Sequence, residues 1–233
     1  MFKKLEGVDL VPEYQHAKAS IYKLDAPELL NKYFIVTSAS TRRLLTTPEV
    51  VGFENYDCMC NPTKVALDYF NKQGLIDKAD ILTILRGGLN YPLEESCFRV
   101  GVPVNDMSFL SCERVFEGEL ITGLDIKYKK LSIINKGTLI IGDIIATGDT
   151  LVKCLKYIVK EYRNVGAALR NIIFFTIGGN MGITVLENLT EEFREYWPGF
   201  EGFYCVYHEG VFSTYKEKGV TGINLPFVDF YWK

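Results

Sequence analysis

Residues 138–150 of this 233-residue chain read Thr138-Leu139-Ile140-Ile141-Gly142-Asp143-Ile144-Ile145-Ala146-Thr147-Gly148-Asp149-Thr150. The segment opens with a short apolar run containing β-branched residues, which is typical of a buried strand and too short for an independent helix. After Thr150, apolar residues recur at helical spacing until Gly166, which can end a helix: Leu151, Val152, Leu155, Ile158, Val159 and Tyr162. The segment therefore predicts a strand, a turn of small residues and a helix.

The turn in this segment has the composition of an anion-binding site. The first N–H groups of a helix have no intrahelical partners, and the helix dipole places partial positive charge there. Gly148 allows close approach, and the hydroxyls of Thr147 and Thr150 add donors. The sequence has neither G-x-x-x-x-G-K-[ST] nor G-x-G-x-x-G, which argues against a nucleoside triphosphatase and a dinucleotide enzyme. We expect a different phosphate ester, although an ordinary turn capped by Thr147 or Asp149 explains the same residues.

The segment resembles the phosphoribosyl pyrophosphate motif of type I phosphoribosyltransferases, in which four apolar residues precede two acids, two apolar residues and A-T-G-x-T. The resemblance implies a parallel α/β sheet flanked by helices, with a small hood. It implies that Asp143 holds the ribose hydroxyls, and Mg²⁺ through the substrate. The residues that would bind phosphoribosyl pyrophosphate in this turn are Ala146, Thr147, Gly148, Asp149 and Thr150. The chain departs from the motif at Gly142, where the family usually has its first acid, and at Asp149, where many members have Gly or Lys.

A second glycine-containing turn follows the apolar run at residues 81–85. The sequence Ile84-Leu85-Arg86-Gly87-Gly88-Leu89 resembles the pyrophosphate loop of the same family, especially the form found in uracil phosphoribosyltransferases. In that interpretation Arg86 donates paired hydrogen bonds to phosphate oxygens, and Gly87 and Gly88 let main-chain N–H groups approach them. A surface arginine beside a tight turn is the simpler alternative. Parallel strands end at one edge of a sheet, so the two turns are expected to lie together.

Two further segments contain candidate binding residues. The family has a flexible loop between the two motifs, and Arg114, Lys127 and Lys129 are candidates for closing it over the pyrophosphate. A β-hairpin with a solvated basic face is the alternative. In the C-terminal tail, Asp229 and Phe230 are candidates for holding a base, because aromatic rings stack on bases and a carboxylate accepts their N–H groups. Apolar packing of the tail against the domain is the alternative.

The rest of the chain alternates short apolar runs with helical patterns, as parallel α/β domains do. The predicted strands are residues 81–85, 104–110, 138–141, 172–177 and 203–207. A helix is predicted from an N-cap at Asn61 to a stop at Gly74. Residues 1–60 are expected to be an irregular N-terminal part and possible hood, with a helix after Pro27 and a strand at 33–36. Residues 61–233 are expected to form the core and tail, most simply as one continuous domain with the N-terminal part.

Composition limits the classes of partner. A net charge of −3 and a pI near 5.6 give no reason to expect a nucleic acid. No run approaches the roughly 18 apolar residues that span a bilayer, and the N-terminus lacks the apolar core of a signal peptide. We therefore expect no membrane and a cytoplasmic location. Cys58-Met59-Cys60 has no matching second pair, so it does not indicate a metal site.

The resemblance implies transfer of the 5-phosphoribosyl group from phosphoribosyl pyrophosphate to a nucleobase or related heterocycle, with release of pyrophosphate. Asp143 and Arg86 are the catalytic residues in this interpretation, Mg²⁺ is the cofactor and a homodimer is the expected assembly. The A-T-G sequence at Ala146 is more similar to adenine, xanthine or uracil enzymes than to hypoxanthine enzymes, but the acceptor base stays open. Two alternatives also stay open. One is a regulatory protein that binds phosphoribosyl pyrophosphate without turnover, and the other is an interaction module with no phosphate ligand.

Overall fold

The structure, a computed structural model, describes residues 8–85, 87–117, 120–217 and 220–224. Its strands are β1 (Leu10–His16), β2 (Ala19–Leu24), β3 (Lys32–Thr37), β4 (Ala79–Leu85), β5 (Val104–Glu117), β6 (Leu120–Lys130), β7 (Gly137–Gly142), β8 (Leu169–Gly179), β9 (Phe203–Glu217) and β10 (Val220–Asn224). Its α-helices are α1 (Ala39–Thr46), α2 (Gly52–Lys72), α3 (Leu93–Arg99), α4 (Asp149–Asn164) and α5 (Met181–Tyr196), and a short 3-10 helix spans Gly88–Asn90.

The described strands form one mixed sheet in the order β1-β2-β3-β9-β8-β7-β4-β5-β6, and β10 pairs with β9. Neighbours from β3 to β5 along this order are parallel. The pairs β1–β2, β2–β3, β5–β6 and β9–β10 are antiparallel. Because β4, β7, β8 and β9 are parallel, their C-terminal ends lie at one edge of the sheet, which we call the carboxyl edge.

Helices cover both faces of the sheet, and β7 shows why. Leu139 and Ile141 pack in the core that contains the apolar face of α4, whereas Ile140 packs in the core beneath α2 and α3. All six residues of β7 are buried. A strand buried on both faces needs an almost continuous apolar run, which is the pattern read from the sequence at 138–141.

The predicted fold class, a parallel α/β sheet flanked by helices, is confirmed. Each predicted strand lies within an observed strand. The five strands predicted after residue 60 lie within β4, β5, β7, β8 and β9, and residues 33–36 lie within β3. The helix predicted after Thr150 is α4. The stop predicted at Gly74 is also observed, since Gly74 follows α2 with a φ of 68° in the left-handed region that favours glycine. In the described ranges, no helix is both long and apolar enough to cross a membrane.

The N-terminal part is more regular than the sequence indicated. Residues 8–60 contain three strands, and β3 pairs in parallel with β9. No helix follows Pro27, where the chain forms turns instead. The N–H groups of Leu30 and Asn31 donate to the Glu187 carboxylate on α5, at 2.7 and 3.2 Å. These donors are satisfied by a distant helix rather than by a local one, so the predicted helix was wrong.

The helix predicted to begin at Asn61 begins earlier, and this prediction of its start was also wrong. α2 starts at Gly52 and includes Pro62 in its interior. Pro62 removes one main-chain donor, but Cys58, Met59 and Cys60 are buried, and tertiary packing supplies most of the stability of a helix in a protein. The boundary expected at residue 60 consequently falls inside α2.

Candidate functional site

The turn between β7 and α4 is held by main-chain bonds to β8. The Ile145 N–H donates to the Ile177 carbonyl at 3.3 Å, and the Ile145 carbonyl accepts from the Gly179 N–H at 3.0 Å. A parallel bridge between Ile145 and Gly178 continues the pairing beyond the end of β7. A Cβ at Gly178 would stand 2.4 Å from Ile145 Cγ2, so glycine at 178 allows the turn to approach β8.

Helix α4 begins without a side-chain cap. Gly148 precedes it with a φ of 84°, and the first main-chain bond back to the turn runs from the Val152 N–H to the Gly148 carbonyl at 2.9 Å. The Thr147 hydroxyl donates to Asp149 Oδ2 at 2.8 Å, which turns this exposed carboxylate toward Thr147. Among the described residues, no side chain accepts from the N–H groups of residues 149–151. These donors can serve an anionic ligand.

Asp143 is a largely buried carboxylate at the start of the same turn. Its N–H donates to the Phe175 carbonyl at 3.0 Å, and its Oδ1 accepts from the Ile144 N–H at 2.8 Å. Burial raises the pKa of Asp143 from 3.8 to about 6, and the hydrogen bond from Ile144 opposes that rise. The group is therefore mostly ionised at neutral pH, but ionisation in this environment is unfavourable compared with water.

The turn after β4 lies against Asp143. A Cβ at Gly87 would stand 2.8 Å from Asp143 Oδ1, whereas a Cβ at Gly88 would have nothing within 4 Å. Gly87 is therefore a point of close contact, and Gly88 faces open space. The structure thus brings together the two turns that the sequence singled out, because β4 and β7 are parallel neighbours.

Gly142 has no room for the acid that the family motif carries. A Cβ at Gly142 would stand 2.3 Å from the carbonyl oxygen of Leu89 and 2.6 Å from its carbonyl carbon. The main chain of the 3-10 helix Gly88–Asn90 fills this space. The absence of the first acid is therefore built into the packing of the two turns.

Asn90 joins the two turns, and sequence reasoning missed it. The side chain is only 3% exposed. Its Nδ2 donates to the carbonyls of Ile84 and Gly87, both at 3.1 Å, and its Oδ1 accepts from the Gly142 N–H at 3.2 Å. An asparagine directly after a Gly-Gly-Leu turn is a signal for such bonds, because its side chain readily bonds nearby main chain. Nothing in the sequence near Asn90 indicated that its side-chain oxygen would accept from the Gly142 N–H.

The remaining predicted residues have different outcomes. Ala146 packs against an apolar cluster that includes Ile177 and Phe212, and Thr150 is partly exposed in the first turn of α4. Arg86, Asp229 and Phe230 lie outside the described residues, so their roles stay predictions.

The candidate lid residues belong to a hairpin of β5 and β6. β5 continues past Ser111, its last partner on β4, so the hairpin extends beyond the carboxyl edge. Lys127 forms an ion pair with Asp125 at 2.8 Å. Lys129 donates to the Tyr157 hydroxyl on α4 at 2.7 Å. Both ammonium groups thus have partners on the hairpin or on α4, while the Arg114 side chain lies outside the described part of the chain.

Comparison with solved structures supports the fold. AQ2163 protein from Aquifex aeolicus matches with a TM-score of 0.54 and 16% identity, over 80% of this chain and 91% of that one. The chain shares its fold with AQ2163. A hypoxanthine phosphoribosyltransferase from Staphylococcus aureus matches with a TM-score of 0.40 and 15% identity, over 73% of this chain and 83% of that one. A purine phosphoribosyltransferase from Pyrococcus horikoshii matches with a TM-score of 0.37 and 18% identity, over 56% of this chain and 77% of that one.

These similarities concern the fold and not the activity. The identities are low, and the TM-scores of the two transferases are below 0.5. No family model matches the chain, and no curated protein matches its sequence. Any activity must therefore be inferred from the residues at the carboxyl edge.

Proposed function

We propose that this chain binds 5-phosphoribosyl 1-pyrophosphate between the two turns and transfers its phosphoribosyl group to a nucleobase or related heterocycle. The observation that carries the proposal is the meeting of the turns. Gly87 approaches Asp143 so closely that a Cβ at this position would require the Asp143 side chain to shift, while Gly88 next to it faces open space. The resemblance of both turns to type I phosphoribosyltransferase motifs supports the same interpretation.

The 5′-phosphate is assigned to the first turn of α4. The N–H groups of residues 149–151 have no side-chain acceptor in the described part of the chain, and the helix dipole favours negative charge there. Thr147 and Thr150 add hydroxyl donors. The Asp149 carboxylate opposes an anion at this position, and its hydrogen bond from Thr147 ties it to a donor that the phosphate would otherwise use.

The ribose and pyrophosphate are assigned to Asp143 and to the turn after β4. Asp143 would accept hydrogen bonds from the ribose hydroxyls, and its negative charge would stabilise positive charge that develops on the ribose as pyrophosphate leaves. Arg86 and the main-chain N–H of Gly88 would bind the pyrophosphate. A ring nitrogen of the acceptor then forms the bond to C1 of the ribose while the bond from C1 to pyrophosphate breaks. The protein mainly positions the two reactants.

The residues present fit a Mg²⁺ ion that arrives with the substrate. Asp143 supplies a carboxylate, Gly142 leaves no room for a second one, and no group of three or more potential metal ligands occurs among the described residues. Mg²⁺ commonly uses one or two carboxylates together with substrate phosphates, so Asp143 would hold it through the substrate. When bound, the ion would neutralise charge on the leaving pyrophosphate.

The packing at Gly142 favours a second candidate function. Because the Leu89 main chain fills the space of the first acid, the ribose has one anionic acceptor fewer than the motif supplies. A protein of this kind could bind phosphoribosyl pyrophosphate as a signal without transferring the ribose. In either function we expect a cytoplasmic homodimer.

The deciding experiment incubates the protein with labelled phosphoribosyl pyrophosphate, Mg²⁺ and a panel of purine and pyrimidine bases. Pyrophosphate release that requires a particular base supports the transferase, and a reaction without base measures hydrolysis. Binding without release supports the regulatory protein. Unchanged thermal stability at saturating ligand contradicts both, since a ligand at about 100 times its dissociation constant adds about 2.7 kcal/mol.

A further inference from the structure

The Asn90 side chain bonds main-chain groups from both turns of the site. Its two donated bonds go to carbonyls of the turn after β4, which we call the β4 turn. The bond that it accepts comes from the end of β7. The orientation of the amide follows from these partners, because two are carbonyl oxygens and the third is an N–H. Asn90 is 3% exposed; its bonds with Ile84 and Gly142 are buried, and its bond to Gly87 is partly buried.

These bonds lie where the ladder between β4 and β7 has ended. The two strands pair over residues 79–82 and 138–141, so Ile84 and Gly142 lie beyond the last pair. Gly142 is buried, and a buried N–H left without a partner is unfavourable. The Asn90 carbonyl therefore replaces a ladder bond that the sheet no longer supplies.

Packing connects Asn90 to the ionisable group of the site. The position of a Cβ on Gly87 is 3.1 Å from Asn90 Nδ2 and 2.8 Å from Asp143 Oδ1. Gly87 is thus enclosed between the two side chains. Loss of the Asn90 side chain would remove the two bonds that shape the β4 turn and the bond that joins this turn to the Gly142 N–H. The β4 turn would then be free to move away from Asp143, and Gly88 would move with it.

We propose that Asn90 is a positioning residue that sets the distance between the pyrophosphate end and the ribose end of the site. It acts through the main chain of Gly87 and Gly88 and does not touch the substrate. This inference rests on the proposed function, because it concerns how the same site holds phosphoribosyl pyrophosphate.

The test compares two probes in the presence of Mg²⁺. Phosphoribosyl pyrophosphate spans both turns, whereas ribose 5-phosphate lacks the group that the β4 turn would bind. In Asn90→Ala, the affinity for phosphoribosyl pyrophosphate should fall about tenfold or more relative to that for ribose 5-phosphate, which corresponds to about 1.4 kcal/mol. Asn90→Ser, which is neutral and too short to reach all three partners, should change the ratio in the same direction and gives a second variant if Asn90→Ala does not fold.

Asn171 offers a matched control at the opposite end of the sheet. It is fully buried in β8, and its Nδ2 donates to the Leu75 carbonyl and to Glu201 Oε2, both at 3.3 Å. Asn171→Ala should lower the melting temperature and leave the ratio of the two affinities unchanged. This outcome separates a general loss of stability from a loss of positioning.

Three results would overturn the inference. Unchanged affinities for both probes in the Asn90 variants, with a parent that binds both, remove the positioning role and leave the proposed function intact. An equal loss of both affinities assigns Asn90 a purely structural role. A parent protein that binds neither probe removes the proposed function and this inference together.

Discussion

The turn after β7 and the turn after β4 leave the same edge of the sheet, but they are held in different ways. Main-chain bonds between Ile145 and β8 extend the sheet pairing into the β7 turn. The β4 turn also has main-chain bonds, such as the one from the Gly87 N–H to the Ile84 carbonyl at 3.0 Å, but the Asn90 side chain adds two bonds within this turn and accepts the bond from the Gly142 N–H of β7. A turn that extends the sheet pairing by main-chain bonds tolerates most side-chain changes away from its glycines, whereas a turn that is joined to the neighbouring strand through one side chain is sensitive to the loss of that residue.

The largest effect is expected where the two turns touch. Gly142→Asp restores the first acid of the family motif, but its Cβ would overlap the Leu89 main chain, 2.3 Å away. Overpacking together with a buried charge should lower the free energy of unfolding by about 3 kcal/mol or more. Urea unfolding measures the change, and we expect no gain in transferase activity.

Gly88→Ala is the matched control for Gly142→Asp, because a Cβ at Gly88 meets nothing within 4 Å. Its free energy of unfolding should change by less than about 1 kcal/mol. If Gly142→Asp were as stable as this control, the β4 turn would be free to move aside, and the contrast between the turns would be weaker than described.

A change of nearly equal size, but an increase in the free energy of unfolding, is expected when Asp143 is replaced. Its folded-state pKa of about 6 exceeds the ordinary 3.8, so the folded state binds more protons between these values and stability falls as pH rises through them. Asp143→Asn removes this penalty, while its side-chain carbonyl can still accept from Ile144. The variant should gain about 3 kcal/mol over the parent near pH 7.5, with most of the gain absent near pH 4.

Urea titrations at the two pH values test the stability of Asp143→Asn, and binding is measured separately. We expect weaker binding of phosphoribosyl pyrophosphate in the more stable variant, because the ribose loses its anionic acceptor. An equal gain at both pH values would show that burial of the ionised carboxylate is not the cause.

A smaller loss of stability is expected at Gly178, where the β7 turn packs against β8. In Gly178→Ala, the new methyl group would stand 2.4 Å from Ile145 Cγ2 and 3.0 Å from Tyr207 Cε1, which should cost about 2 kcal/mol. Gly123→Ala, where a Cβ meets nothing within 4 Å, is the control. Thermal unfolding of both variants measures the difference, and equal melting temperatures would contradict close packing of this turn on β8.

The smallest effect is expected at the start of α4. Asp149→Asn removes an exposed negative charge beside the assigned phosphate but keeps an acceptor for the Thr147 hydroxyl, so ribose 5-phosphate should bind a few-fold more tightly. The gain should shrink at high salt, which screens exposed charges. Glu161→Gln makes the same charge change in the last turn of α4 and should have little effect. Similar gains in both variants would point to net charge rather than to the helix start.

The central strands and α4 could be predicted because their signals are local. A short apolar run buried on both faces and an apolar stripe at helical spacing are visible within one segment. The region after Pro27 could not be predicted in this way. The Leu30 N–H bonds to Glu187, 157 positions away, and burial of Cys58 and Met59 stabilises α2 upstream of the predicted cap.

The candidate site shows the same division. Its two turns were predicted from glycines, threonines, Asp143 and Arg86, because the requirements of a strand-to-helix turn are local. Asn90 was missed because it accepts a hydrogen bond from the Gly142 N–H, which is 52 positions away in the chain. Lys129 was considered for a lid, but its bond to Tyr157 depends on how the hairpin packs on α4.

The amino-acid sequence by itself determined the parallel core and the positions of the two turns, since hydrophobic periodicity and turn chemistry act over neighbouring residues. The tertiary structure decided how close the turns approach, why Gly142 leaves no space for an acid, and how far burial raises the pKa of Asp143. These properties arise from contacts between segments remote in the chain, such as the Leu89 main chain, which leaves no space for a side chain at Gly142.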